Sequence, residues 1–202
     1  MKRDNPICFA CSIFKSEVEE ILKRGDFDMK CKYFSSMLHM APDVLDTKIE
    51  SALKNHMKEN KKIVLLYGDC CPNMTNFQKN INVSRTQGIN CIEILLGETE
   101  YKKLRKEGTF FLMPEWARRW KEVFYYELKL EGKIATEFMQ EFHTKIVYID
   151  TGHQKIPEKQ LSEIQEYSGL PVEIMKVDDS QLEKALARSI ENLRKQFNQD
   201  ES

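Results

Sequence analysis

The sequence predicts an α/β protein with a mainly parallel sheet flanked by helices, Rossmann-like in outline. Two observations predict it. Short apolar runs alternate with stretches whose apolar residues recur at helical spacing, the pattern of successive βα units. Glycines and prolines fall at the joints between those stretches, where helices start and stop.

The elements follow in order. Pro6–Ala10 reads as the first strand. Phe14, Val18, Ile21 and Leu22 repeat at helical spacing, and Gly25 stops that helix. Met29–Phe34 is a second strand, and Pro42 opens a helix with Val44, Leu45, Ile49, Ala52, Leu53 and Met57 on its apolar face. Ile63–Tyr67, between Lys61-Lys62 and Gly68, is the clearest strand. A turn-rich stretch follows, with a short helix near Asn76–Asn80 and an extended piece at Val83–Arg85. Asn90 can cap a helix through Cys91, Ile92, Leu95 and Leu96, ended by Gly97, although a strand over Asn90–Leu95 fits the same residues. Glu98–Lys106 is helical, Thr109–Leu112 extended, and Pro114 starts a helix carrying Trp116, Trp120, Val123 and Phe124. Another helix reaches about Phe142, interrupted or bent near Gly132. Lys145–Ile149 is a buried-type strand, Pro157 to Gly169 bounds a helix, and Val172–Val177 is the last strand. Leu182, Ala185, Leu186, Ser189, Ile190 and Leu193 form an amphipathic final helix, with fraying expected over Asn198–Ser202.

The 202 residues suit one α/β domain spanning 1–202, with the helical segment at about 98–142 as a side layer or cap within it. Lys+Arg of 31 against Asp+Glu of 32 leaves a charge of -1, so no global basic field exists to hold nucleic acid. The longest aliphatic run, Ile63–Leu66, is far short of the ~20 residues that span a bilayer. The opening Met1-Lys2-Arg3-Asp4-Asn5-Pro6 turns apolar only briefly and does not suggest a signal peptide, so a cytoplasmic location is expected. In that compartment the six cysteines read as thiols.

Ligands of parallel sheets sit beyond the carboxyl ends of the strands. Those ends carry Cys11-Ser12, a segment reaching His39, Gly68-Asp69-Cys70-Cys71-Pro72, and Asp150-Thr151-Gly152-His153. Cys70 leaves its strand in a glycine-led turn. Cys91, in the first turn of a helix capped by Asn90, would have its thiolate favoured by the helix dipole. With a neutral His39 these two could hold zinc with an exchangeable position, and Cys11 as fourth ligand would close the site. The bland alternative is that the cysteines are small buried hydrophobes. Glu17 and Asp69 are the candidate acid–base groups, although an exposed flank position is the simpler reading of Glu17 and a turn role is the alternative for Asp69. Gly68, Gly97 and Arg118 are candidate cofactor contacts, through open backbone at the glycines and through a cation facing an anionic ligand at Arg118. In Cys8-Phe9-Ala10-Cys11 the two thiols fall on opposite strand faces, so a redox pair is not expected. Cys8 and Cys31 read as core, and Cys71 as a spare thiol. His56 and His143 read as surface or packing residues, His153 as a loop residue near the ligand edge. No Walker A, GxGxxG, HExxH or GxSxG pattern occurs.

Several of these residues stand in segments that resemble a known family. Ala10-Cys11, Leu38-His39-Met40-Ala41-Pro42, Tyr67-Gly68-Asp69-Cys70, Asn90-Cys91-Ile92, Leu95-Leu96-Gly97 and Gly108-Thr109-Phe110-Phe111-Leu112-Met113-Pro114-Glu115-Trp116 occur in this order. Over roughly 6–190 the chain is similar to the domain-of-unknown-function family sixteen thirty-eight. The resemblance implies a small cytoplasmic protein of anaerobic metabolism, found beside corrinoid-dependent methyl-transfer systems. It places the family's recurring His and Cys positions on His39, Cys70 and Cys91, with Cys11 and Glu17 nearby. The chain departs from the pattern at Cys71-Pro72, where relatives commonly have Gly, and at Glu115.

Three functions compete at this level. The first is a zinc-dependent enzyme or accessory enzyme of corrinoid-linked methyl transfer, working on a small-molecule ligand. The second is a non-catalytic carrier for a metal, a corrinoid or a one-carbon ligand. The third is a scaffold for a methyltransferase protein, docking through the Trp116–Lys121 face. No nucleic-acid or membrane partner is expected.

Overall fold

The computed structural model describes residues 5–58 and 61–200, the side chains of Glu127 and 197–200 excepted. Residues 1–4 of the segment read above for a signal peptide, and residues 201–202 of the tail expected to fray, lie outside the described residues. The chain is α/β, with parallel strands flanked by helices, as the sequence predicts. Its residues form two compact units, Met1–Gly97 with Asp179–Ser202, and Glu98–Asp178.

The first unit carries β1 (Ile7–Cys11), α1 (Lys15–Lys23), β2 (Lys30–Phe34), α2 (Pro42–Met57), β3 (Ile63–Leu66), α3 (Met74–Phe77), β4 (Val83–Arg85) and α4 (Cys91–Leu96). Its closing helix, α9, spans Ser180–Asp200. The strands form one parallel sheet in the order β2-β1-β3-β4. Period-two alternation sorts their side chains between two faces. Phe9, Phe34, Ile63, Leu65, Tyr67 and Val83 share a core with Leu45, Ile49, Ala52 and Leu53 of α2. On the other face Cys8 is in register with Cys31, and the Lys15 ammonium of α1 lies 6.0 Å from the Tyr33 ring centre. The α9 helix packs on β3, β4 and α4. Arg24 fastens the end of α1 to it, donating to Asp179 at 3.1 Å and to Glu183.

The strand order reverses direction beside β1, so the chain leaves β1 and β3 toward opposite faces. A crevice between the carboxyl ends of those two strands is the topological switch point at which open parallel sheets bind ligands.

The second unit holds α5 (Glu98–Lys106), β5 (Thr109–Leu112), α6 (Pro114–Arg118), α7 (Gly132–Phe142), β6 (Lys145–Asp150), α8 (Glu158–Ser168) and β7 (Val172–Lys176). Its parallel sheet runs β5-β6-β7. The long helix expected after Pro114 is shorter than the sequence suggests. It ends at Arg118, gives way to a wide helical turn over Glu122–Glu127, and restarts at Gly132. Leu112, Trp120, Phe124, Met139, Tyr148 and Ile164 fill this core. The 98–142 segment is thus mostly helical but also supplies the strand β5. Among the described residues, pairing sorts seven strands into two sheets, a division that local apolar runs do not encode.

Candidate functional site

The carboxyl edge of β1 and β3 gathers thiols on a short loop. Gly68 makes this possible. A Cβ there would stand 2.5 Å from the Asn90 Cα and N and from the Ile89 carbonyl oxygen, so only glycine lets the two backbone segments cross. The Asp69 N–H then donates to the Ile89 carbonyl at 2.8 Å. That crossing sets Cys70 beside the start of α4. Asn90 caps the helix by accepting from the Glu93 N–H at 2.9 Å, which settles the helix-or-strand choice for this segment. Gly68 therefore serves a backbone crossing and leaves no open cradle. Gly97, with φ +78, closes α4 in a conformation that favours glycine.

Cys70 and Cys91 meet electrostatically. Burial pushes the Cys91 thiol up to about 12, and the charge of Cys70 adds to the shift. Backbone N–H groups of the first turn of α4 pull the other way and lose, so the thiolate favoured by the helix dipole in the sequence reading is not the resting form. Burial likewise raises Cys70. The Gly68 backbone opposes that rise, Asp69 adds to it, and the Arg85 guanidinium opposes it. Cys71, also pushed up to about 12 by burial and by its hydrogen bond to Asp46, belongs to the core. Cys11 ends β1 on the α2 side, half-buried, while Cys8 is buried on the opposite face beside Cys31, as alternation requires.

Two residues missed in the sequence complete this edge. Tyr67, 2% exposed, follows β3, and its hydroxyl has no hydrogen-bond partner among the described residues. Burial raises its pKa, and the charges of Cys11 and Cys70 raise it further, so both thiols lie within reach of the phenol's field. Arg85 donates through Nη1 to Asp69 at 2.5 Å, while its buried Nε has no partner among the described residues. A tyrosine closing a wholly apolar strand just before a glycine was the available signal for Tyr67.

The remaining candidates are dispersed. Glu17, expected as an exposed flank residue on the simpler reading, is 0% exposed in the first turn of α1. Asp69 is exposed and held by Arg85. His39 sits exposed at the end of a 3-10 turn, Ser36–Met40, where partial desolvation of the ring lowers its pKa. His56 packs edge-on against Phe9 at 5.1 Å. In the second unit, Arg118 donates to the Gln154 side chain and, at 3.0 Å, to the Lys155 carbonyl, tying that loop to α6. Trp120 is core and donates its indole N–H to Glu163 at 3.1 Å. His143 meets Phe110 edge-on at 5.2 Å, and burial lowers its pKa.

Among the described residues no three His, Cys, Asp or Glu side chains are grouped to hold a metal ion. Of the expected donors, Cys70 and Cys91 are the two brought to the same turn, where the charge of Cys70 acts on Cys91. A cleft of about 390 Å³ lined by Asn5, Gly25, Asp26, Phe27, Ile190 and Arg194 lies at the opposite, amino end of β1, and its lining contains no thiol or imidazole. No helix among the described residues is long and apolar enough to cross a membrane.

Fold and site together define a parallel α/β protein with a thiol-lined switch point. The chain belongs to the family described as "Protein of unknown function (DUF1638)", whose model matches residues 33–186. That span includes His39, Tyr67, Cys70, Arg85 and Cys91. It begins beyond Cys11 and Glu17, later than the start of about 6 expected from the motifs. No curated protein and no solved structure matches the chain.

Proposed function

We propose that the switch point of the first unit is the working site and that Cys70 and Cys91 take a thiophilic divalent ion there, zinc before others. The observation that carries this reading is the Gly68–Asn90 backbone crossing, which brings the turn bearing Cys70 against the start of α4, where the charge of Cys70 acts on Cys91. Two buried thiols can ionise together only if a cation offsets both charges, and thiolate is the form that binds zinc. Two protein thiols leave coordination positions for an exogenous ligand, the arrangement of a working rather than a purely structural ion. Bound zinc would supply Lewis acidity toward a substrate thiol or water. The chain's own contribution is to exclude water around Cys70, through Tyr67 and the α2 core, and to offset the charge of Asp69 beside it with the Arg85 guanidinium. The family resemblance supports the setting of corrinoid-linked methyl transfer in anaerobic metabolism, with a corrinoid protein or methyltransferase as the partner.

Elemental analysis of anaerobically purified protein tests the reading. Wild type and His39→Ala carry zinc near stoichiometry, while Cys70→Ser and Cys91→Ser lose it. Equal metal in all four, or none in wild type after zinc loading, overturns it.

A further inference from the structure

Buried donors with nothing to donate to are rare in native proteins, and each calls for a cause. Among the described residues the first unit has two on the α2 face at the carboxyl edge of its sheet, the Tyr67 hydroxyl and the Arg85 Nε–H, and the Tyr33 hydroxyl on the opposite face. Leu65 is in register with Arg85, and Tyr67 follows Leu65 by two residues, so alternation brings the two side chains out on the same side of neighbouring strands. Cys70 is their common neighbour. Its charge acts on Tyr67, and the Arg85 guanidinium acts on it. The backbone here is already satisfied, since the Thr86 hydroxyl donates to both the Leu65 and Tyr67 carbonyls at 3.3 Å. A neutral thiol is a weak acceptor and leaves the two donors unmatched. A phenol O–H and a guanidinium N–H on the same face of neighbouring strands beside their carboxyl ends suit an oxyanion, which accepts from several donors and gains from the positive charge.

We infer that Tyr67 and Arg85 form the binding pair for an oxyanion, a carboxylate or phosphate group carried by the small molecule that occupies the switch point. This rests on the preceding proposal only for the location of the site. It names the ligand's chemical class, where the thiols name its metal. The Tyr67 hydroxyl donates to one oxygen of the group and the Arg85 Nε–H to another. Arg85 keeps its Nη1 bond to Asp69, which holds the guanidinium in place.

Thermal unfolding of metal-free protein, measured at fixed ionic strength with inorganic phosphate, with acetate, and with chloride as the control, tests the inference. Wild type is expected to show a saturable rise in midpoint with phosphate or with acetate beyond that with chloride, and the responding anion identifies which group the site takes. Tyr67→Phe, which removes only the hydroxyl, and Arg85→Lys, which keeps the charge but not the Nε–H, each weaken that binding roughly tenfold or more. Cys91→Ser, expected to lose zinc, keeps the anion response, so the two proposals fail separately. Absence of a saturable response to both anions in wild type overturns the inference, and so does Tyr67→Phe binding the anion as wild type does.

Discussion

Tyr67→Phe is expected to stabilise the ligand-free protein while weakening its ligand binding. The ring of Tyr67 packs with Leu65, Leu45 and Met74, and phenylalanine keeps that packing. What changes is a hydroxyl that is buried without a hydrogen-bond partner among the described residues. Leaving such a group desolvated and unpaired costs about 1–3 kcal/mol. Removing it returns that amount, so the lower end of the range, about 1 kcal/mol, is the expected gain. With a urea slope of about 1–3 kcal/mol/M for a small unit, the midpoint moves up by about 0.3–1 M at unchanged slope. The assay is urea unfolding of metal-free protein near pH 7 by circular dichroism, fitted for the transition that the substitution moves. Each compact unit has its own core, and Tyr67 belongs to the first. With saturating anion present the order of the two proteins reverses, because a tenfold tighter anion gives wild type about 1.4 kcal/mol more binding energy than the variant, which exceeds the variant's gain of about 1 kcal/mol. A midpoint lowered by an equivalent of about 1 kcal/mol in the ligand-free state would refute the reasoning, since a hydroxyl whose loss destabilises was already hydrogen-bonded.

Gly68→Ala is expected to destabilise by about 1–3 kcal/mol, because the added Cβ meets fixed backbone and the 89–90 segment must shift. Zinc content falls with it, because the crossing sets Cys70 beside Cys91. Urea melts and elemental analysis on one preparation check both effects, and metal retained at wild-type level would separate the crossing from the thiol pair. Asn90→Ala removes the cap on the Glu93 N–H and costs about 1 kcal/mol, read from the same melts. Burial holds the His143 pKa below the free imidazole value, so the unfolded chain takes up its proton first as pH falls. The stability this residue contributes is present above about pH 6.5 and is lost as pH drops through the folded pKa. The thermal midpoint of wild type falls between about pH 7 and pH 5 more steeply than that of His143→Asn. Parallel slopes for the two proteins would show that His143 is not desolvated.

Much of the architecture was legible because local signals agreed with the final packing. Pro42 stands at the first position of α2, Gly97 ends α4, and the buried stripe of α2 is Leu45, Ile49, Ala52 and Leu53, within the face expected from spacing. Val44, expected on that face, is exposed, because a stripe read from sequence is wider than the contact it makes. The Trp120 helix was misjudged for a similar reason. Its apolar spacing continues through Phe124, but the backbone changes to a wider helical turn so that those rings reach the core against Tyr167. Cys70 and Cys91 were identifiable as candidates from their places at a strand end and a helix start. Their thiol chemistry was not. The sequence suggested a dipole-lowered Cys91, and burial by residues remote in the chain reversed the direction. Glu17 shows the same limit. Its helical position was clear, yet its complete burial depends on what packs over α1.

The sequence by itself determined the local propensities: which runs extend, which coil, where glycine or proline breaks them, and which thiols lie near strand ends. These depend on neighbours a few residues apart, whose spacing is fixed by the chain. Tertiary structure decided the rest among the described residues: the sorting of the strands into two sheets, the return of α9 to the first unit, the crossing of Gly68 over Asn90, and the burial of the Tyr67 hydroxyl and the Arg85 Nε without hydrogen-bond partners. Strand pairing, desolvation and unmet hydrogen bonds arise between groups far apart in the chain, and their energies exist only once folding has brought those groups together.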